Sequence, residues 1–267
     1  MGKFDSIMIC SDYDNTLTAR NFIVPNNKCE FNIPPNNFEA VKYFVKEGGK
    51  FVMASGRNPN ELEPLKKYMP IYDIAICTNG SLYSFDKQDV VYSVTLKDEF
   101  FEDVKRIIDE FPLRNWRVTD ADFVNFGWDI GKGDCYEELK KRKAPFYKIT
   151  FWGRDDKEYC EKLISYLKKE YAEKYLVEAS AHNFFEMYDK KGGKDKAVLR
   201  LKEMTNSKKV IAIGDHENDL SMLSCADIGV CVGDGSEKVK NVASIICAPS
   251  YEGAIADVID KLDKNLI

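Results

Sequence analysis

Two acidic pairs are spaced for chemistry. Asp12 and Asp14 stand two positions apart in Asp12-Tyr13-Asp14-Asn15-Thr16, and Asp215 and Asp219 stand four apart in Gly214-Asp215-His216-Glu217-Asn218-Asp219. Between them lie groups suited to an anion: Ser55-Gly56-Arg57 and Lys194. Four carboxylates brought together repel one another unless a cation is present, and a hard, all-oxygen donor set favours Mg²⁺, with waters and a substrate phosphate completing its shell. Taken singly, each acid is equally well explained as a helix N-cap or a turn residue. Only their convergence points to a metal and a phosphate.

Convergence requires elements that aim them at one place. In an open α/β sheet, ligands bind beyond the carboxyl ends of the strands, and each of these segments directly follows an apolar run. Ile7–Cys10 precedes Asp12, Phe51–Ala54 precedes Ser55, Ile74–Cys77 precedes Thr78-Asn79-Gly80, and Val210–Ile213 precedes Gly214. Helical spacing separates these runs, with Phe38, Val41 and Val45 on one face, then a helix near Glu61–Tyr68 after Pro59. A third helix carries Ala197, Leu201 and Met204, and a closing one Ile255, Val258, Ile259 and Leu262. Further strands are expected at Ile228–Val232 and Ile245–Cys247. Continuous apolar strands alternating with helices predict a doubly wound, Rossmann-like parallel sheet covered on both faces.

The rhythm breaks after Gly80. Tyr83–Phe85 and Val90–Val94 flank a polar DKQD turn and read as an antiparallel hairpin. A helix bearing Phe100, Val104, Ile107, Ile108 and Phe111 follows, then strand-like pieces at Trp116–Thr119, Phe123–Trp128 and Phe146–Trp152. Another helix shows Cys160, Leu163, Ile164, Leu167 and Tyr171 on one face, before a strand at Asn183–Tyr188. The expectation is an α/β core of residues 1–82 and 190–267, interrupted by an inserted α+β unit of residues 83–189. In that unit Trp116, Trp128, Trp152, Phe184 and Phe185 read as core, and Lys140–Lys143 as a solvated basic face.

DYDNT, ASGR, Lys194 and GDHEND, in that order, resemble the four motifs of the haloacid dehalogenase (HAD) superfamily of phosphotransferases. With CTNG, GVCVGDGSEKVK and the insertion between the second and third motifs, the chain is similar to Cof-type, subfamily IIB phosphatases over essentially its full length. The resemblance implies that Asp12 attacks phosphorus and becomes an aspartyl phosphate, while Asp14 protonates the leaving oxygen and then activates water. It implies phosphate contacts from Ser55, with its neighbour Gly56, from Lys194 and from Asn218. It also implies Mg²⁺ on the Asp12 carboxylate, the Asp14 carbonyl and Asp215, supported by Asp219. Such roles suit phosphoryl transfer, which is mainly positioning and neutralisation of spread negative charge. Two departures stand out: Asn15 where most Cof-type members have Gly, and a long stretch from Ala19 to Asn37. Arg57 is open between phosphate contact and a turn that caps the next helix, and Asn79 and Gly80 between site and turn.

Composition narrows the alternatives. The 267 residues are 44% hydrophobic and 31% charged, which suits a globular chain. Lys and Arg number 39 against 44 Asp and Glu, so there is no basic surplus for nucleic acid. Cys10, Cys29, Cys77, Cys135, Cys160, Cys225, Cys231 and Cys247 are scattered without a C-x-x-C pair, as reduced thiols of a cytoplasmic protein would be. MGKFDS formally fits a myristoylation pattern, but on two positions only, with a strand starting at Ile7. No signal peptide or membrane span is expected. The expected enzyme hydrolyses a small phosphorylated metabolite, a sugar phosphate first, with the insertion as a lid that selects it. A phosphomutase using the same aspartyl phosphate, or a non-catalytic phosphate sensor, are the rivals. A receiver domain is excluded by length and by the order of its acidic residues. Nothing in the sequence sets the oligomeric state.

Overall fold

The computed structural model describes residues 2–19, 31–123, 125–127, 135–181 and 183–267. The chain forms two compact units, Met1–Tyr92 with Lys194–Ile267, and Ser93–Gly193. In the first, β1 (Ile7–Ser11) leads into a tight turn at Tyr13–Leu17, followed by α1 (Pro35–Lys46), β2 (Lys50–Met53) and α2 (Pro59–Leu62). Then come β3 (Ile74–Cys77), β4 (Ser81–Ser84) and β5 (Asp89–Tyr92). The second unit comprises α3 (Phe100–Glu110), β6 (Asn115–Asp120), β7 (Asn125–Gly127), α4 (Tyr136–Lys141), β8 (Phe146–Trp152), α5 (Lys157–Tyr171), β9 (Tyr175–Ala181) and β10 (Phe184–Asp189). The chain returns to the first unit through α6 (Lys194–Thr205), β11 (Lys209–Gly214), α7 (Leu220–Cys225), β12 (Ile228–Cys231), α8 (Glu237–Lys240), β13 (Ile245–Ile246) and α9 (Ala254–Asp263).

The first unit's main sheet runs β13-β12-β11-β1-β2, and every neighbouring pair is parallel. Alternation along each strand fills two layers. Ile9, Phe51, Met53, Ile211 and Ile213 pack with Phe38, Val41, Ile255 and Val258 of α1 and α9. Met8, Cys10, Val52, Val210 and Ala212 pack with Ala197, Val198, Leu201 and Met222 of α6 and α7. Burial on both faces is why these strands read as unbroken apolar runs, each large side chain contributing roughly 1.5–3 kcal/mol.

The Ile74–Cys77 run behaves differently from the expectation of one continuous parallel sheet. β3 touches the main sheet through a single parallel bridge, Ala54 to Ile76, and heads an antiparallel sheet ordered β3-β4-β5. Because β4 pairs with β3 along its length, the hairpin belongs to the first unit. The division therefore falls after Tyr92 and after Gly193, ten and four residues beyond the boundaries expected at 82 and 189. The helix expected at Glu61–Tyr68 splits into α2 and a tighter turn over Glu63–Lys67, where Pro64 lacks the N–H a continuing helix needs. Met204 is exposed rather than buried with Ala197 and Leu201.

The second unit is an antiparallel sheet, β7-β6-β8-β10-β9. One face packs Val118, Ile149, Phe151, Phe185 and Met187 against Phe100, Val104, Ile107, Leu163 and Leu167 of α3 and α5. Trp116 is in this core, whereas Trp152 is half-buried and meets Phe184 edge-on at 4.6 Å. Neither β9 nor α4 was anticipated. Lys140 and Lys141 end α4, and Arg142 pairs with the buried Asp120 at 2.5 Å, so that segment is more than a solvated face. Trp128 and most of the Ala19–Asn37 stretch lie outside the described residues. Among the described residues no helix is long and apolar enough to cross a membrane.

Candidate active site

β1 and β11 are parallel neighbours, and the Asp12 N–H is held at 2.9 Å by the Ile213 carbonyl just past the paired residues. The two acidic segments are thereby fixed side by side. Lys194, at the first position of α6 and fully buried, donates to Asp12 Oδ1 and to Asp219 Oδ1, both at 2.7 Å. Asp219 Oδ2 accepts the N–H groups of Asp215 at 3.0 Å and His216 at 3.3 Å. Both oxygens of Asp219 are thus engaged, and it ties Lys194 to the backbone after β11. The approach demands glycine at the strand end, because a Cβ at Gly214 would lie 2.5 Å from Asp219 Cβ and Cγ.

Asp12, Asp215 and Asp219 offer oxygens within 4.8 Å of one another. One buried ammonium faces three carboxylates, and the charge is unbalanced. Burial pushes Asp12 up to about 7, with Lys194 pulling it back and Asp219 adding repulsion. Burial likewise pushes Asp215 up to about 9, helped by Asp219 and Asp12. Burial disfavours the charge on Lys194, yet Asp12 and Asp219 outweigh it and hold the ammonium above the ordinary lysine value. A compact set of hard oxygens with surplus negative charge fits a small divalent cation. With Asp219 occupied, Asp12 and Asp215 are the carboxylates placed to reach one.

The fourth carboxylate is elsewhere. Asp14 is not in this cluster; its Oδ2 accepts from Arg57 Nε at 2.8 Å and its Oδ1 from Arg57 Nη2 at 3.0 Å. The pattern of four converging acids is therefore three acids around Lys194 and one clamped by Arg57. Neither cation partnership was visible in the sequence, since 182 residues separate Asp12 from Lys194 and 43 separate Asp14 from Arg57.

Ser55 is buried immediately after β2, its N–H bound to the Ile76 carbonyl at 2.8 Å and its Oγ accepting from the Arg57 N–H at 3.2 Å. Its carbonyl accepts the Asn79 N–H at 3.1 Å, and a Cβ on Gly56 would come within 2.8 Å of Asn79 Oδ1. CTNG is therefore packed beneath the Ser55-Gly56-Arg57 loop. It is strained there, with φ of +49° at Thr78 and +62° at Asn79, a conformation unusual for a β-branched residue. Asn15 also has positive φ, +53°, and its side chain hydrogen-bonds Asp215, the backbone geometry that glycine supplies elsewhere. Asn218 is buried in the short turn Glu217–Asp219.

A family model of haloacid dehalogenase-like hydrolases matches residues 9–259, a span holding every one of these segments. The chain belongs to that family. Phosphoglycolate phosphatase 2 of Saccharolobus solfataricus is 28% identical, with 97% of this chain and 93% of the relative covered. A HAD/Cof-like hydrolase from Plasmodium vivax superposes with a TM-score of 0.81 at 18% identity, covering 99% of this chain and 97% of that one. A subclass IIB sugar phosphatase of the HAD superfamily superposes with a TM-score of 0.74 at 19% identity, covering 96% and 98%.

Proposed function

We propose that the protein hydrolyses small phosphomonoesters, sugar phosphates foremost, through an aspartyl phosphate on Asp12 with Mg²⁺ as cofactor. The observation that carries this reading is the Asp12 carboxylate, buried at the end of β1, with Oδ1 fixed by Lys194 and Asp215 and Asp219 beside it. Asp12 and Asp215 would hold the metal, with the Asp14 carbonyl, and Asp219 fixes Lys194. Bound Mg²⁺ supplies neutralisation of the phosphoryl oxygens and of the acidic cluster.

An oxygen of Asp12 attacks phosphorus, and the bond from phosphorus to the ester oxygen breaks. Asp14 gives its proton to that oxygen, which leaves as an alcohol. Asp14 then takes a proton from the water that attacks the phosphoryl group, releasing phosphate and restoring Asp12. Lys194 holds Asp12 in one orientation and neutralises the phosphoryl oxygens, while Ser55, at the neighbouring strand end, and Asn218 bind them. Sugar phosphates head the substrate class because of the subclass IIB sugar phosphatase whose fold this chain shares. The archaeal phosphoglycolate phosphatase extends the class to small carboxylated esters.

A phosphate-release screen over sugar, carboxylate and nucleotide monoesters tests the reading. Turnover should require Mg²⁺, vanish in excess chelator and be absent in Asp12→Asn, with a hydroxylamine-labile phosphoenzyme trapped in the wild type alone. Isomerisation of a hexose phosphate without phosphate release would replace hydrolysis by a mutase, and turnover by Asp12→Asn would remove the nucleophile.

A further inference from the structure

We propose that Arg57 acts through Asp14 as a positioning residue, and does not bind the substrate phosphate. This role rests on the phosphatase reading above. Arg57 follows a strand end beside Ser55, where a cation invites assignment to the phosphate. The structure commits its guanidinium otherwise. Nε and Nη2 donate to the two oxygens of Asp14 at 2.8 and 3.0 Å, and Nη1 donates to Glu61 Oε1 at 2.9 Å. The guanidinium carbon lies 4.7 Å from the centre of the Tyr13 ring. Glu61 is itself pinned, its Oε2 accepting the Asn58 N–H at 3.0 Å.

Each contact removes a freedom from Asp14. A planar fork on both carboxylate oxygens sets the rotation of the group, which a point cation cannot do. Glu61 and the Tyr13 ring set the fork, and the turn into α2 sets Glu61. The two cations of the site thus divide the labour. Lys194 is fully buried against the nucleophile, whereas Arg57 and Asp14 have side chains 36% and 35% exposed, on the side open to solvent. A pair so exposed contributes little to stability; its value is orientation. A carboxylate that must meet the leaving oxygen and then a water loses rate steeply when its direction is lost.

The test is a double-mutant cycle in the full-length protein. Arg57→Gln removes both the charge and the fork, Arg57→Lys keeps the charge without the fork, and each is combined with Asp14→Asn. Steady-state constants are measured on an alkyl and an aryl phosphate, and phosphoenzyme formation by rapid quench. Loss of aim should lower kcat on the alkyl ester about 10- to 100-fold, within the range general acid–base help supplies, with KM changing less than about threefold. Arg57→Lys should not rescue, and phosphoenzyme formation from the aryl ester, whose leaving group needs little protonation, should be spared. In the Asp14→Asn background either Arg57 change should cost almost nothing further. Multiplied losses in the double mutants, or KM rising for every ester with kcat intact, would make Arg57 a phosphate ligand and overturn the proposal. Thermal melting excludes a folding defect. Wild-type turnover with an inactive Asp12→Asn keeps the underlying phosphatase reading standing in either case.

Discussion

At the scale of residues, the charge cluster around Lys194 makes a measurable statement about pH. Burial and mutual repulsion raise Asp12 to about 7 and Asp215 to about 9 in the protein without a cation, against an unfolded value of ~3.9. The folded state therefore holds protons that the unfolded state has released. Stability from these groups is full below the unfolded value and is lost as pH rises through the folded ones. Metal-stripped protein should show a melting temperature that falls between about pH 5 and pH 9, and Mg²⁺ should raise it most at the upper end, where the carboxylates are ionised. A melting temperature independent of pH across that window, with no metal response, would mean that the three acids neither repel one another nor bind a cation.

At the scale of elements, the site depends on how β11 ends. Asp219 folds back over Gly214 so that one oxygen takes two backbone N–H groups and the other takes Lys194. A methyl group at Gly214 would lie 2.5 Å from Asp219 atoms, in a packed interior where such overlap typically costs ~1–3 kcal/mol. Gly214→Ala should displace Asp219, free Lys194 from its second partner and lower activity at least tenfold along with the melting temperature. Gly56→Ala meets only the end of the Asn79 side chain at 2.8 Å, so its loss should be smaller. Equal activity of Gly214→Ala and wild type would show that the Asp219 contact does not position Lys194. The loop beneath Gly56 was the harder element to anticipate. CTNG reads as a turn in the sequence, and only the β3 bridge to Ala54 shows it supporting Ser55.

At the scale of the whole molecule, the inserted unit carries its own core of Phe100, Ile149, Phe151, Leu163 and Phe185, separate from the two cores around the parallel sheet. Were this unit to discriminate among esters, its removal would change their ranking. Shortening the chain by joining Tyr92 to Lys194 through a Gly/Ser linker keeps the β4–β5 hairpin with β3, where pairing places it. If the shortened chain melts cooperatively, its kcat/KM should fall far more on sugar phosphates than on a small aryl phosphate, because remote binding energy is lost while the acidic cluster stays. Unchanged relative kcat/KM values across the panel would remove the insertion from specificity.

The amino-acid sequence by itself determined the parallel core, the interruption by an α+β unit and the four strand-end segments. These follow from local quantities: apolar runs of strand length, helical spacing between them, and polar residues placed where each run stops. Asp12, Ser55 and Asp215 were legible for that reason, whereas Lys194, which opens the helix before Val210–Ile213, and Asp219 stood out through the resemblance to the four motifs. Only the tertiary structure decided what those groups touch. The pairing of Lys194 with Asp12 and Asp219, the removal of Asp14 from the cluster by Arg57, and the seat of CTNG under Gly56 are contacts between distant segments. The units' boundaries were displaced for the same reason, since the β3–β4 ladder, which no local pattern records, assigns the hairpin to the core. β9, with its partly alternating Tyr175–Ala181, became a strand through its pairing with β10. Side-chain spacing fixes which face a residue takes; which partner waits on that face is a property of the assembled chain.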